Sequence, residues 1–400
     1  MKAKYGLPTK VFFCTKCVIS NQRPITALET KHGKNHKKKT TAFDENGVCD
    51  ACNWAEYKDK KIDWESRHEE LESLLKKHRR SDGSYDVVVP ASGGKDSCYV
   101  AHILKSKYNM NPLTVTWAPH IFTKIGWKNL QSMINSGVDN VLITPNSKVH
   151  RLLSKLGFLN LGHPFQPFVI GQRLVGPKIA LEKKIPLVFY GDNVAEYGNR
   201  IKDNFVPTMN NELITAFDIK NEDNMLGGET IKNLKKEYKL NDKDLYIYSS
   251  PSKHDLSSLG LEVHYMSYYR KWSPQANFYY ASQNCNFKVA DERTPGSYSK
   301  YSGLDDKLEY FHYYMMMIKF GMGRATWDAA QEIRDKKITR EEGVFLVNKY
   351  DTEFSDKYFD EFLDYISIDK EVFFNTVDKF RSPHLWEKKS NSWILKNPVN

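Results

Sequence analysis

The feature that most constrains this chain is a short glycine-containing turn, Ser92-Gly93-Gly94-Lys95-Asp96-Ser97. A buried β-strand is predicted just before it, in the β-branched run 86–90, and a helix just after it, over 96–108. Two glycines let the backbone turn tightly and approach an anion. The free N–H groups and dipole of the following helix point at the same place, and Lys95, Ser92 and Ser97 add donors. The turn is therefore interpreted as a phosphate-binding loop.

The loop differs from the common nucleotide-binding motifs. A Walker A loop needs glycine where Val89 stands, and Ser or Thr where Asp96 follows Lys95. The GxGxxG fingerprint is also absent. Asp96 repels phosphate unless it holds Mg²⁺ beside it, so a magnesium role is expected for this carboxylate. An ordinary glycine-rich turn is the alternative, although strand, loop, charges and helix all agree on a phosphate site.

Strands and helices alternate around the loop. Further strands are predicted at 113–117, 138–144, 185–190 and 262–266, with helices at 127–136 and 165–184. This alternation predicts an α/β fold with a parallel sheet and right-handed crossovers.

Composition divides the chain into four regions. Residues 1–60 hold two cysteine pairs, and 61–84 form a charged amphipathic linker helix that starts at 62–64. The α/β domain spans 85–300, with a polar insertion at about 201–250 that we interpret as partly helical and as a candidate lid. Residues 301–400 are helical in pattern, with one apolar face that contains Tyr310, Phe311, Tyr314 and Met317.

The paired cysteines predict a metal site with the ligands Cys14, Cys17, Cys49 and Cys52. Two tight turns with two thiolates each supply the four sulfurs of a tetrahedral, structural Zn²⁺ site. The gap between the pairs exceeds the usual one of about 15–20 residues, and a basic insertion at 30–40 accounts for it. His32 and His36 in that insertion are expected to be solvated. An iron–sulfur cluster and redox disulfides are the alternatives.

The formal net charge of +10 is partly local. Half of it comes from one run that contains Lys31, Lys34, Lys37, Lys38 and Lys39. The charge is therefore weak support for a nucleic-acid partner, and a solvated loop is favoured over RNA binding. No apolar stretch approaches the roughly 20 residues of a membrane span, and residues 1–10 show no secretory signal. A cytoplasmic location is the default expectation.

The loop, in this position, resembles the signature of the PP-loop ATP pyrophosphatases, which cleave ATP between the α and β phosphates and leave AMP on a substrate oxygen. The resemblance implies that pyrophosphate leaves from 92–97 and that adenosine lies across the carboxyl ends of the strands. Trp117 and Ala118 are then candidates to frame the adenine. Gly191-Asp192-Asn193 either faces the same crevice or forms a plain turn.

The whole chain resembles the N-acetyl sugar amidotransferases of bacterial surface-glycan synthesis. The matching segments are the cysteine pairs, 43–49, 62–64, 92–97, 191–193, 196–198, 296–301, 304–307, 311–314 and 320–326. The loop indicates only the superfamily, whereas the long C-terminal match is specific. The chain departs from the family in the basic insertion and at 201–250.

This resemblance implies that AMP is transferred to the amide oxygen of an N-acetyl sugar, and that ammonia then replaces it to give an acetamidino group. The sugar would be acidic or nucleotide-linked and would serve lipopolysaccharide, capsule or flagellin glycan. No glutaminase nucleophile is visible, and Cys98 is interpreted as buried packing. Ammonia is therefore expected from a separate glutaminase that works with a cyclase-like barrel subunit.

Besides Lys95 and Asp96, the candidate catalytic or substrate-binding residues are Glu196, Tyr298, Lys300, Asp306, His312 and Arg324, with Ser299 and Tyr301 beside them. His312 either orients the amide and accepts a proton from ammonia, or is a packed core residue between aromatic neighbours.

A tRNA-modifying PP-loop enzyme, of the thiolase or lysidine-synthase type, is the main alternative. Basic charge and a zinc module fit it, but thiolation needs a reactive cysteine, and the unassigned Cys98 and Cys285 lie in no sulfur-relay motif. No basic, aromatic-interleaved RNA tail is visible. A non-catalytic binding module would retain Lys95 and Asp96 without purpose.

Overall fold

The computed structural model describes residues 3–25 and 37–400. The part of the basic insertion with Lys31, His32, Lys34 and His36 lies outside the described residues. The strands are β1 (Val87–Pro90), β2 (Pro112–Trp117), β3 (Asp139–Ile143), β4 (Leu187–Tyr190), β5 (Met225–Leu226), β6 (Glu229–Thr230), β7 (Glu262–Tyr265), β8 (Trp386–Lys389) and β9 (Ser392–Leu395).

The helices of the first half are α1 (Asp50–Lys60), α2 (Trp64–His78), α3 (Lys95–Ser106), α4 (Lys124–Asn135), α5 (Ser147–Leu156), α6 (Gln166–Lys183) and α7 (Glu212–Thr215). Those of the second half are α8 (Ile231–Lys236), α9 (Asp242–Leu245), α10 (Lys253–Leu259), α11 (Met266–Tyr269), α12 (Pro274–Asn284), α13 (Glu309–Phe320), α14 (Arg324–Arg334), α15 (Arg340–Tyr350), α16 (Phe359–Ile366) and α17 (Lys370–Phe380). A π-helical turn, Gly157–Leu161, extends α5, and 3₁₀ turns occupy Val194–Tyr197, Ile201–Asn204 and Tyr246–Tyr248.

The main sheet has five parallel strands in the order β3-β2-β1-β4-β7. This confirms the predicted α/β fold with a parallel sheet. The chain moves outward from β1 to β3 on one side and then to β4 and β7 on the other. The turn after β1 therefore lies at the point where the strand order reverses, which is where open α/β sheets bind ligands.

The sheet is covered on both faces. Alternate residues of β1 point to opposite sides, so Val88 joins the apolar cluster that contains α6, whereas Val87 and Val89 join the cluster that contains α3. Strands buried on both faces read as continuous apolar runs, and this explains why β1 was recognisable in the sequence.

Two sequence interpretations need correction. The polar insertion at 201–250 is not a lid that is separate from the core, because Phe217, Leu226 and Tyr248 are fully buried in the same cluster as α6. The C-terminal region is helical as predicted, but it ends in the antiparallel hairpin β8–β9. Ser390 and Asn391 join these strands with positive φ angles, as a tight hairpin turn requires.

The N-terminal module packs against the C-terminal helices. The four paired cysteines share an apolar cluster with Ala329 and Ala330 of α14 and with Val347 of α15. The Arg340 Nε donates to the carbonyl oxygens of Cys14 and Cys17, each at 3.3 Å. Contacts of this kind link the first and last parts of the chain.

Within 3–25 and 37–400, no helix combines the length and the apolar composition needed to cross a lipid bilayer.

Candidate active site

The loop after β1 has a backbone that only glycine fits. Gly93 has φ +85°, and a Cβ there would lie 2.5 Å from the backbone N and Cα of Leu130 in α4. Gly94 has φ −69° and is the N-cap of α3. The loop therefore presses against α4 and leads directly into the first turn of α3, whose free N–H groups are of the kind that binds anions.

Lys95 and Asp96 occupy the first turn of α3 and form an ion pair with each other. The amide of Asn277 in α12 donates to the other carboxylate oxygen of Asp96, with a distance of 2.8 Å between Nδ2 and Oδ1. Asn277 was not recognised in the sequence, because nothing in the local pattern of α12 distinguishes it from a surface residue.

The strand-end cavity, about 360 Å³ in volume, opens at the carboxyl ends of β1, β2, β4 and β7. Its volume lies in the range of small-molecule sites. Trp117, Gly191 and Asp192 line it together with Ser92, Gly94, Asp96 and Ser97. The structure thus brings these predicted nucleotide-binding residues to one crevice, whose walls are otherwise largely apolar.

Asp192 has an unusual protonation equilibrium in this cavity. Burial and, to a smaller extent, the negative charge of Asp96 raise the pKa of its carboxyl, a hydrogen bond from Tyr197 lowers it, and the resulting pKa is about 7. Protonated and ionised forms of Asp192 therefore coexist near neutral pH.

The loop cavity, about 170 Å³, lies on the other side of the glycine turn. Arg324 of α14 lines it and is 3.2 Å from a carboxylate oxygen of Glu309 and 3.2 Å from one of Asp328. Burial raises the pKa of Glu309 to about 8, although Arg324 partly offsets the effect. Burial also raises the pKa of Asp305, whose carboxyl accepts a hydrogen bond from Ser92.

The helix cavity, about 250 Å³, is lined by side chains from α12, α13 and α14 and by the start of α3. Aromatic and acidic residues dominate it, namely Tyr197, Tyr301, Tyr313, Trp327, Asp328, Glu332 and Asp335. Two hydroxyls donate to Glu332, from Tyr298 at 2.8 Å and from Tyr301 at 2.9 Å. Burial raises the pKa of this carboxyl.

The three cavities meet at Asp96. Asp96 lines all three, and Lys95 lines the loop and helix cavities. A ligand in the strand-end cavity and another in the helix cavity would therefore approach each other at the first turn of α3.

Several predicted sugar-site residues lie outside these cavities. Glu196 pairs with Lys58 and accepts from the Trp54 indole at 2.8 Å, so it anchors α1 to the α/β domain. Lys300 is exposed and donates to the carbonyl oxygen of Asp291 at 2.7 Å. Tyr298 reaches the helix cavity only through Glu332.

Asp306 and His312 also lie away from the cavities. Asp306 is buried and accepts from both the backbone N and the Nδ1 of His120, each at 2.7 Å. His312 stacks on His163 and Phe165, with ring centroids 4.8 Å and 5.4 Å away. His312 is partly buried among aromatic rings, and both alternatives for its role stay predictions.

Most residues that line the helix cavity were not predicted from the sequence. Arg324, Asp328 and Glu332 follow one another at intervals of four residues along one face of α14. This spacing is visible in the sequence, but the segment 320–326 that resembles the sugar amidotransferases ends at Thr326, before Asp328 and Glu332.

The four paired cysteines form a site that fits a zinc ion. Their sulfurs are buried and all lie within 4.8 Å of one another, with Cys14–Cys52 at 3.8 Å and Cys17–Cys49 at 3.7 Å. A tetrahedron with Zn–S bonds of about 2.3 Å has edges of about 3.8 Å. A disulfide needs about 2.05 Å, so the sulfurs are spaced for one shared ion.

The sheet, the glycine loop at its switch point, the cysteine cluster and the helical C-terminal region define an α/β protein with a candidate phosphate site and a candidate metal site. Residues 295–399 match the family model described as LPS biosynthesis protein WbpG-like, C-terminal domain. This part of the chain is thus similar to proteins of LPS biosynthesis.

Among solved structures, NMN synthetase from Francisella tularensis is similar at 13% identity and a TM-score of 0.30, over 78% of this chain and 97% of that chain. No curated protein matches the sequence.

Proposed function

We propose that this protein is an ATP-dependent amidotransferase that converts an N-acetyl group of a sugar into an acetamidino group for a bacterial surface glycan. The observation that carries the proposal is the meeting of the three cavities at Asp96, beside Lys95, which lines the loop and helix cavities. The match of 295–399 to a family of LPS biosynthesis supports the choice of pathway.

In this proposal the strand-end cavity binds the adenosine and the loop cavity binds the β and γ phosphates. Lys95 and the N-terminus of α3 supply positive charge at the phosphates. Asp96 is a suitable ligand for Mg²⁺, which typically binds through one or two carboxylates plus the phosphates of the substrate. Magnesium would neutralise charge on the departing pyrophosphate.

The helix cavity then holds the sugar. The amide oxygen attacks the α-phosphorus, the new P–O bond forms, and pyrophosphate leaves with the electrons of the broken bond. Ammonia adds to the activated carbon and AMP leaves with the former amide oxygen. The amidine product is protonated, and the carboxylates of Asp328, Glu332 and Asp335 line the cavity where this positive charge appears.

The positions of the cysteines bear on the ammonia source and on the role of the metal. Cys98 and Cys285 are buried, at 1% and 2% exposure, and are not placed to act as a glutaminase nucleophile. We therefore propose a separate glutaminase with a barrel subunit as the ammonia source. Zinc at the four cysteines would be structural, because this cluster packs under α14 and lines none of the three cavities.

The test is incubation of the protein with ATP, Mg²⁺ and ammonium together with N-acetylated nonulosonic acids and UDP-linked N-acetyl sugars. Mass spectrometry would detect AMP and the mass change from replacing oxygen with NH in the sugar. Both signals on one sugar, absent without ATP, are expected. AMP formation that depends on tRNA, with no sugar altered, would contradict the proposal and favour a tRNA-modifying enzyme.

A further inference from the structure

Arg173 lines the strand-end cavity and has no role in the proposed function. Among the described residues that line this cavity, the other charged side chains are Asp96 and Asp192, which are both acidic. Lys95 lines the two neighbouring cavities instead. A phosphate group in the strand-end cavity therefore has one guanidinium within this cavity as its cationic partner.

The position of Arg173 is set by the close packing of α6 on the sheet. A Cβ at Gly171 would lie 2.2 Å from the Trp117 ring, and one at Gly176 would lie 2.6 Å from Pro90 at the end of β1. The Tyr190 hydroxyl donates to the carbonyl oxygen of Arg173 at 2.7 Å, which fixes this turn against β4. The helix therefore holds Arg173 at the carboxyl edge of the sheet.

The guanidinium is available for a ligand. In the described part of the chain, no carboxylate forms an ion pair with Arg173, whereas Arg324 is paired with two. An arginine without a carboxylate partner beside an anion-binding loop is suited to phosphate, because its planar fork donates two parallel hydrogen bonds.

We propose that Arg173 binds the α-phosphate of the nucleotide, both during transfer to the amide oxygen and in the AMP product. The transfer part rests on the proposed function, whereas the binding part does not. In that step the P–O bond to the amide forms, and the bond to the bridging oxygen breaks as pyrophosphate leaves. Lys95 accompanies the pyrophosphate, and Arg173 remains with the non-bridging oxygens of the adenylyl group.

The test compares adenosine with AMP as calorimetric probes of the full-length protein. Wild type should bind AMP more tightly than adenosine. Arg173→Ala should lose this preference, on the order of 10- to 100-fold in AMP affinity, because charged hydrogen bonds have this value. Adenosine affinity should not change, and Arg173→Lys should retain part of the preference. Lys183→Ala, an exposed residue on the same helix, is the matched control.

The outcomes separate the two proposals. If wild type binds AMP and Arg173→Ala keeps the full preference over adenosine, the role of Arg173 is wrong and the proposed function is untouched. If wild type binds neither ligand, the nucleotide assignment of the strand-end cavity fails, and both proposals fail with it. Retained adenosine binding in Arg173→Ala shows that the cavity is folded, and Arg173→Lys provides the comparison if the alanine variant is unstable.

A second readout uses ATP analogues with sulfur at one of the two non-bridging α-oxygens. Arg173→Lys should change the ratio of the rates for the two diastereomers, because a lysine cannot reproduce the bidentate contact. A purely structural role for Arg173 predicts an unchanged ratio.

Discussion

The strand-end cavity and the helix cavity lie on opposite sides of Asp96, yet they are built differently. The first is formed by strand ends, the glycine turn and α6, and apolar side chains cover most of its wall. The second is formed by side chains of three helices and contains Arg324 and Lys95 among four carboxylates, those of Asp96, Asp328, Glu332 and Asp335.

This difference indicates that the two cavities have different roles in binding. Backbone geometry at a sheet edge suits a constant ligand such as a nucleotide, since it depends on the fold rather than on particular side chains. A cavity made of helix side chains can change its charge and shape with little effect on the sheet. We therefore expect the helix cavity to set the choice of sugar, and changes to the two cavities to be separable.

The largest effect is expected at Lys95, which lines the loop and helix cavities. In the proposed reaction, Lys95→Ala removes the charge beside the departing pyrophosphate, so AMP formation should slow by roughly 100- to 1,000-fold. Release of pyrophosphate measures this step. Lys300→Ala, at an exposed lysine bonded to a backbone carbonyl, is the control and should keep its rate. Equal loss in both variants would show that Lys95 has no particular role.

The contrast between the cavities also explains what the sequence could predict. The glycine turn, its flanking strand and Trp117 are adjacent in sequence or follow strand ends, so alternation of elements places them at one edge. Asn277 and Glu309 reach the site only because α12 packs against α3 and the start of α13 lies beside the glycine turn, which no local pattern encodes.

The remaining differences have similar physical causes. His312 and Asp306 carry chemically versatile groups, but tertiary packing assigns them to His163 and His120 instead of a cavity. The 201–250 segment is polar in composition and has many exposed residues, yet a few apolar side chains anchor it to the main cluster. The composition of a segment predicts its average exposure but not which of its residues are buried.

The next largest effect is expected from removal of the proposed metal, which should affect the helix cavity but not the strand-end cavity. The cysteine cluster packs against Ala329 and Ala330 on α14, which also carries Asp328 and Glu332. Loss of the proposed zinc, by chelation or in Cys49→Ser, should displace α14 and raise the KM for the proposed sugar roughly 10- to 100-fold, because small misplacements have effects of this size. AMP binding in the strand-end cavity should persist. Metal content, the sugar KM and AMP affinity would be measured together. A loss of AMP affinity in parallel with the rise in the sugar KM would contradict separate roles for the two cavities.

A narrower change tests the helix cavity alone. Glu332→Gln keeps the shape but leaves fewer acceptor sites for the hydroxyls of Tyr298 and Tyr301. We expect the sugar KM to rise about 10-fold, while the KM for ATP stays constant. Glu341→Gln, an exposed carboxylate on α15, is the matched control. A rise in the KM for ATP of similar size would mean that the cavities are not independent.

The smallest predicted effect concerns pH and the strand-end cavity. Because burial and the charge of Asp96 hold the pKa of Asp192 at about 7, its ionisation adds a second negative charge beside a bound phosphate. AMP affinity should therefore fall, roughly fivefold, as the pH rises through about 7. The phosphate of AMP has its own pKa near 6, so the measurement is the difference between wild type and Asp192→Asn, in which this decline should disappear.

The raised pKa of Asp192 also makes the free energy of unfolding depend on pH in a defined direction. The folded chain keeps the proton of Asp192 between its ordinary pKa of 3.8 and about 7, where the unfolded chain has lost it. The contribution of Asp192 to the free energy of unfolding therefore decreases as pH rises across that window. The groups that act on the pKa of Asp192 are the charged side chains of Asp96, Lys95 and Glu196 and the hydroxyl of Tyr197. Denaturant titrations of wild type and Asp192→Asn that show identical pH slopes would place its pKa at an ordinary value and remove the basis for pH-dependent nucleotide binding.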